Sequence, residues 1–123
     1  MKLLLVEDNN LTAIILTNYL SDSFSVHVVR TAEEAIDFVN QNSYSMVLMD
    51  IDLGANKNGM DIAIKIKNID NYKEVPIISA SSYAMPVEKE KIMSGGCFID
   101  YLSKPFEKHE IINQIHSVLN LVE

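Results

Sequence analysis

Residues 3–10 read Leu3-Leu4-Leu5-Val6-Glu7-Asp8-Asn9-Asn10, and the next apolar residues, Leu11, Ile14, Ile15, Leu16, Tyr19 and Leu20, fall at helical spacing. Four apolar residues, an abrupt polar turn and a helical period predict strand, loop and helix. The unit then recurs. Ser25–Val29 is rich in β-branched residues and predicts a second strand. Thr31-Ala32-Glu33-Glu34 fits a capping box, in which Thr31 and Glu34 satisfy each other's exposed amides, opening a helix to about Asn40. Met46-Val47-Leu48-Met49 is a third bounded apolar run, ending on Asp50, and a loop over 54–59 precedes Met60, Ile62, Ile64 and Ile66. Residues 76–79 predict a fourth strand; Pro86 suits the first turn of a helix and Gly95-Gly96 its end. Residues 98–102 predict the fifth strand, and Ile111, Ile112, Ile115, Val118, Leu119 and Val122 form the apolar stripe of a last helix.

Short, almost wholly apolar strands alternating with helices predict an α/β protein, a doubly wound (βα)5 unit whose five-stranded parallel sheet is covered on both faces. Right-handed crossovers put every strand's C-terminal end on one edge, where such folds bind ligands. With 123 residues and no linker, repeat or low-complexity tract, the chain is expected to be one domain over 1–123. Seventeen acidic against ten basic residues give a net charge of −7, which argues against a nucleic-acid or anionic-lipid surface. The lone Cys97 cannot form an internal disulfide, and no Cys/His cluster has zinc-ligand spacing. The opening apolar run stops on acids too early for a secretory signal, and no stretch reaches the ~18 apolar residues of a membrane span. A cytoplasmic protein is expected.

The polar residues follow the strands. Glu7 and Asp8 come after the first, Asp50 and Asp52 after the third, Ser81 and Ser82 after the fourth, Lys104 and Pro105 after the fifth. They converge on one rim if strand one neighbours strand three, as in the order 2-1-3-4-5. Carboxylates gathered this closely repel and need a cation, and oxygen-only donors favour a hard divalent ion, Mg²⁺ above all. A carboxylate on such an ion, faced by a lysine and a hydroxyl, suits in-line phosphoryl transfer onto the carboxylate.

Four marks in order, Val6-Glu7-Asp8-Asn9, Val47-Leu48-Met49-Asp50, Pro76-Ile77-Ile78-Ser79-Ala80-Ser81 and Asp100-Tyr101-Leu102-Ser103-Lys104-Pro105-Phe106, resemble the receiver domain of two-component response regulators over essentially the whole chain. The resemblance implies the flavodoxin-like, CheY-like fold and a phosphoacceptor switch in a phosphorelay. It implies that Asp50 takes a phosphoryl group from the phosphohistidine of a sensor histidine kinase or a histidine phosphotransfer protein. Glu7, Asp8, Asp50 and the backbone carbonyl of Asp52 would hold Mg²⁺. Lys104 would pair with the phosphoryl oxygens, beside a cis bond to Pro105. Ser81 would place a hydroxyl, and Ser82 a backbone N–H, on the same group. Tyr101 would be the switch aromatic, turning inward as Ser81 moves. The readout would be the face of the fourth helix, fifth strand and fifth helix, through which a downstream protein partner binds and a dimer can form. Such a domain is not an enzyme with a diffusible substrate; it has at most intrinsic autophosphorylation and autodephosphorylation activity.

Some positions depart from the family pattern. Ser81 replaces the more frequent Thr, Ser82 stands where Ala is usual, and the loop over 50–59 lacks the usual Pro. Asp52 and Tyr83 lie where they could tune the lifetime of the phosphoryl group. Elsewhere Cys97 reads as a small buried residue, His27 as structural, and His109 and His116 as surface residues too far apart on the last helix to share a metal ion. Three other readings compete. Asp50-Ile51-Asp52 resembles the nucleophile motif of haloacid-dehalogenase-like phosphatases, but the acidic pair here lies upstream. A nucleotide or flavin site would place repelling acids in its phosphate turn. A phosphorylation-independent receiver-like interaction domain is the more serious alternative.

Overall fold

The structure, a computed structural model, describes residues 1–51, 59–81, 90 and 93–122. Five parallel strands, β1 (Lys2–Val6), β2 (Ser25–Val29), β3 (Met46–Asp50), β4 (Ile77–Ser81) and β5 (Asp100–Ser103), lie in the order β2-β1-β3-β4-β5. The expected doubly wound sheet is therefore the observed one. β3 sits in the middle, and Met46, Val47, Leu48 and Met49 are all at most 1% exposed. Burial on both faces explains why the strand reads as a continuous apolar run rather than an alternation. Each such side chain removed from water contributes about 1.5–3 kcal/mol before chain entropy is set against it.

Helix α1 (Asn10–Leu20) and the C-terminal helix (Lys108–Val122) cover one face, built on Leu3, Leu5, Met46, Leu48 and Ile78. Helices α2 (Ala32–Gln41) and α3 (Gly59–Lys67) cover the other, with Leu4, Val6, Val47, Met49 and Tyr101. A short 3-10 turn, Asp70–Tyr72, leads into β4. The expected helix before β5 falls mostly outside the described residues, Pro86 included. Its end is visible: Gly96 has φ +77° and donates its N–H to the Met93 carbonyl at 3.2 Å, a left-handed stop that glycine supplies without strain.

Several local expectations are adjusted. β4 begins at Ile77 because Pro76 has no N–H for the ladder, although its carbonyl accepts from Val47 N–H at 3.1 Å. β5 begins at Asp100; Phe98 and Cys97 lead into it, and Cys97 is half-buried rather than buried. On α1 the buried residues are Ala13, Leu16 and Leu20, while Leu11 and Ile14 are 67% and 57% exposed. The apolar spacing there was wide enough for two faces, and only one meets the sheet.

Candidate functional site

The site grows from three strand ends. Glu7 follows β1, and its N–H donates to the Val29 carbonyl at 3.0 Å, so pairing with β2 continues one residue past the strand and turns the Glu7 side chain inward. Asn9 then caps α1, its side-chain oxygen accepting from Thr12 N–H at 2.9 Å. The chain must turn between these two anchors, and Asp8 stands in that turn, exposed. Asp50 ends β3 in the sheet's centre and is 3% exposed. Glu7 is 1% exposed.

One carboxylate oxygen from each of Glu7, Asp8 and Asp50 can lie within 4.8 Å of the others. Lys104, from the turn after β5, crosses to this group. Its Nζ donates to Glu7 Oε1 at 2.9 Å and to Asp50 Oδ1 at 3.3 Å. The Lys104–Pro105 peptide bond is cis. Burial and the neighbouring Asp50 push the Glu7 carboxyl up to about 7, against the opposing pull of Lys104. For Lys104, burial alone would lower the ammonium pKa, but the hydrogen bonds and charges of Glu7 and Asp50 outweigh it and raise it.

One lysine does not balance three clustered acids. Glu7 Oε2 is buried with no hydrogen-bond partner, an arrangement that costs about 1–3 kcal/mol or more. Orphaned oxygen, carboxylate donors and surplus negative charge together fit a small hard divalent cation. Mg²⁺ is the ion whose preference for a few carboxylates plus water best suits a rim with one exposed member, Asp8.

Of the remaining expected residues, Tyr101 lies on β5 with only 6% of its surface exposed, within the core under α2 and α3. Gln114 Nε2 donates to its carbonyl at 2.8 Å, joining β5 to the C-terminal helix. Ser81 closes β4, but its side chain, together with Asp52, Ser82 and Tyr83, lies outside the described residues. His109 and His116 are exposed. His27 has the structural partner that the sequence did not name: its Nδ1 is 2.7 Å from Tyr44 Oη, and Phe38 stands edge-on to its ring.

Two contributors escaped the sequence reading. Gly59 opens α3 directly against β3, where a Cβ would overlap the Asp50 carbonyl oxygen and come 3.1 Å from Ile51 Cα. Its position after a predicted loop was legible, its close approach was not. Arg30 donates from Nη1 to Asn10 Oδ1, tying the end of β2 to the start of α1.

A family model described as the response regulator receiver domain matches residues 3–116. The polar-differentiation response regulator DivK of Brucella anthropi is 30% identical over 117 residues, 94% of either chain. Among solved structures, the receiver domain of the sensor histidine kinase PA1611 from Pseudomonas aeruginosa has a TM-score of 0.86 at 27% identity, covering 97% of both chains. That structure holds a magnesium ion coordinated in its active-site cleft. The chemotaxis response regulator CheY4 of Vibrio cholerae, 19% identical with a TM-score of 0.86 over 95% of this chain and 97% of its own, shares the fold.

Proposed function

Because the chain belongs to the response regulator receiver family, we propose that residues 1–123 act as one phosphoacceptor switch in a two-component phosphorelay, with Asp50 as the acceptor. Receiver domains are signalling domains rather than classical enzymes, and this reading keeps that character. The observation that carries it is Lys104 bridging Glu7 and the nearly buried Asp50 at the centre of the sheet edge.

Glu7, Asp8, Asp50 and the Asp52 carbonyl are the residues that would hold Mg²⁺. The ion, when bound, would neutralise charge on the transferring phosphoryl oxygens. An Asp50 carboxylate oxygen forms the new bond to phosphorus while the phosphorus–nitrogen bond of a partner's phosphohistidine breaks. The imidazole leaves with that electron pair. The Lys104 ammonium donates to both Asp50 and its flanking carboxylate Glu7, offsetting the charge of the pair. Lys104 then exchanges part of its carboxylate pairing for the phosphoryl oxygens, with Ser81 Oγ and the Ser82 N–H as further donors. Tyr101 answers that movement on β5, changing the face shared with the C-terminal helix and the helix before β5, where a downstream protein binds. Asp52 and Tyr83 set how long the acyl phosphate lasts. The donor is a sensor histidine kinase or a histidine phosphotransfer protein, and the setting is cytoplasmic. Among the described residues no helix is long and apolar enough to cross a membrane.

Intact mass spectrometry after exposure to acetyl phosphate and Mg²⁺ tests this. A single phosphoryl adduct is expected on the wild type, absent in Asp50→Asn and absent when the metal is chelated. An adduct that persists in Asp50→Asn overturns the assignment. Following decay of the adduct in Asp52→Asn and Tyr83→Ala reads their share; rates equal to wild type in both would remove them from the mechanism.

A further inference from the structure

β2 is an edge strand, paired only with β1. The register Lys2↔Ser25 to Val6↔Val29, with Ser25 N–H donating to the Met1 carbonyl and the Val29 carbonyl accepting from Glu7, makes Ser25, His27 and Val29 the residues whose backbone bonds inward. The N–H and C=O groups of Val26 and Val28 therefore point to the open side, with no partner among the described residues. Natural sheets protect such edges with lysine, proline, a bulge or a covering segment. Ser25-Val26-His27-Val28-Val29 carries no lysine or proline, and its pairing to β1 runs without a bulge.

The surroundings are suited to a copy of the same surface. In a chain of net charge −7, residues 23–32 contain no acid, and their only formal charge is Arg30. Two copies can meet here without bringing carboxylates together. Beside the strand, Ile14 of α1 is 57% exposed and overhangs a groove of about 240 Å³ that it shares with Val28 and Arg30. On the opposite face the His27 ring is held back over its own protomer by Tyr44 Oη at 2.7 Å.

From this geometry we propose that β2 is a self-association edge, at which two copies of the chain pair their β2 strands antiparallel about a two-fold axis at His27. Val26 of one protomer then lies opposite Val28 of its partner, and the reverse. The outward N–H and C=O groups of both valines are satisfied by four symmetric hydrogen bonds. Ile14 of each protomer covers the partner's valines, and the two sheets join into one of ten strands. A five-residue edge and one overhanging side chain bury less than the roughly 1,000 Å² of a firm interface, so the dimer is weak and concentration-dependent. This surface is at the far side of the sheet from β5, and the inference does not rest on Asp50 chemistry.

Analytical ultracentrifugation of the whole chain over a wide concentration range is the test. The weight-average mass should rise toward twice the monomer and stop there. Val28→Pro removes an outward N–H while sparing the inward ladder, and losing its two symmetric bonds should weaken dimerisation about tenfold. Ile14→Glu, at an exposed helix position, should weaken it as well and covers the case in which the proline variant folds poorly; circular dichroism melts report folding for both. A monomer at every concentration, growth beyond the dimer, or a dimer unchanged in a folded variant overturns the proposal.

Discussion

Gly59 is where a single atom decides the geometry at the end of β3. Gly→Ala inside a helix normally gains about 1 kcal/mol. Here the added methyl would overlap the Asp50 carbonyl oxygen, a backbone atom held in the central strand, and would also sit 3.1 Å from the Met49 side chain. Overpacking against backbone costs about 1–3 kcal/mol and should win. Gly59→Ala is therefore expected to lower the urea midpoint, and a midpoint equal to or above wild type would show that α3 is free to shift. The same locality explains why the sequence could nominate Glu7, Asp8, Asp50 and Lys104 but not Gly59. Acids and a lysine after apolar runs are visible in the chain, whereas close approach between 50 and 59 exists only once α3 has docked.

Among the elements, α2 is the best instance of a helix written in its own sequence, and also of a limit to that reading. Thr31 Oγ1 accepts from Glu34 N–H at 3.1 Å, as the capping box requires. The return bond differs: Glu34 Oε1 accepts from Arg30 N–H and from Thr31 Oγ1, both at 3.3 Å, rather than from the Thr31 amide. Loss of the cap should cost about 1 kcal/mol, so Thr31→Ala should be destabilised by that amount in urea denaturation and Thr31→Ser should be near neutral. Equal stability of the Ala variant would mean that water caps the helix as well. α1 teaches the converse. Its apolar residues Leu11, Ile14 and Ile15 fit a helical period, yet they stay at the surface because the sheet offers only one contact face. Periodicity located the helix without deciding which side would be buried.

At the scale of the molecule, the net charge of −7 and the clustered acids couple folding to pH. Glu7 is raised from 4.5 to about 7, so the folded protein holds this proton more tightly than the unfolded chain does. Its contribution is complete below pH 4.5 and is lost as pH rises through about 7. The loss is of order 3 kcal/mol at most. Metal-free wild type should therefore lose stability between pH 5 and about 8 relative to Glu7→Gln, measured by urea denaturation in chelator. Adding Mg²⁺ should shrink that difference, since a cation favours the ionised carboxylate. A wild type that gains stability over the same window relative to Glu7→Gln would contradict the raised pKa. Local sequence was enough to locate the five strands, their apolar character, the described helices and the acidic and basic turns, because neighbours along the chain set strand and helix periods. The buried Glu7 with its orphaned oxygen, the His27–Tyr44 pair, the close seat of Gly59 and the bare edge of β2 arise from packing between distant segments. Each of these depends on which segments pack together, and on how much water that packing excludes, quantities that no local stretch of sequence contains.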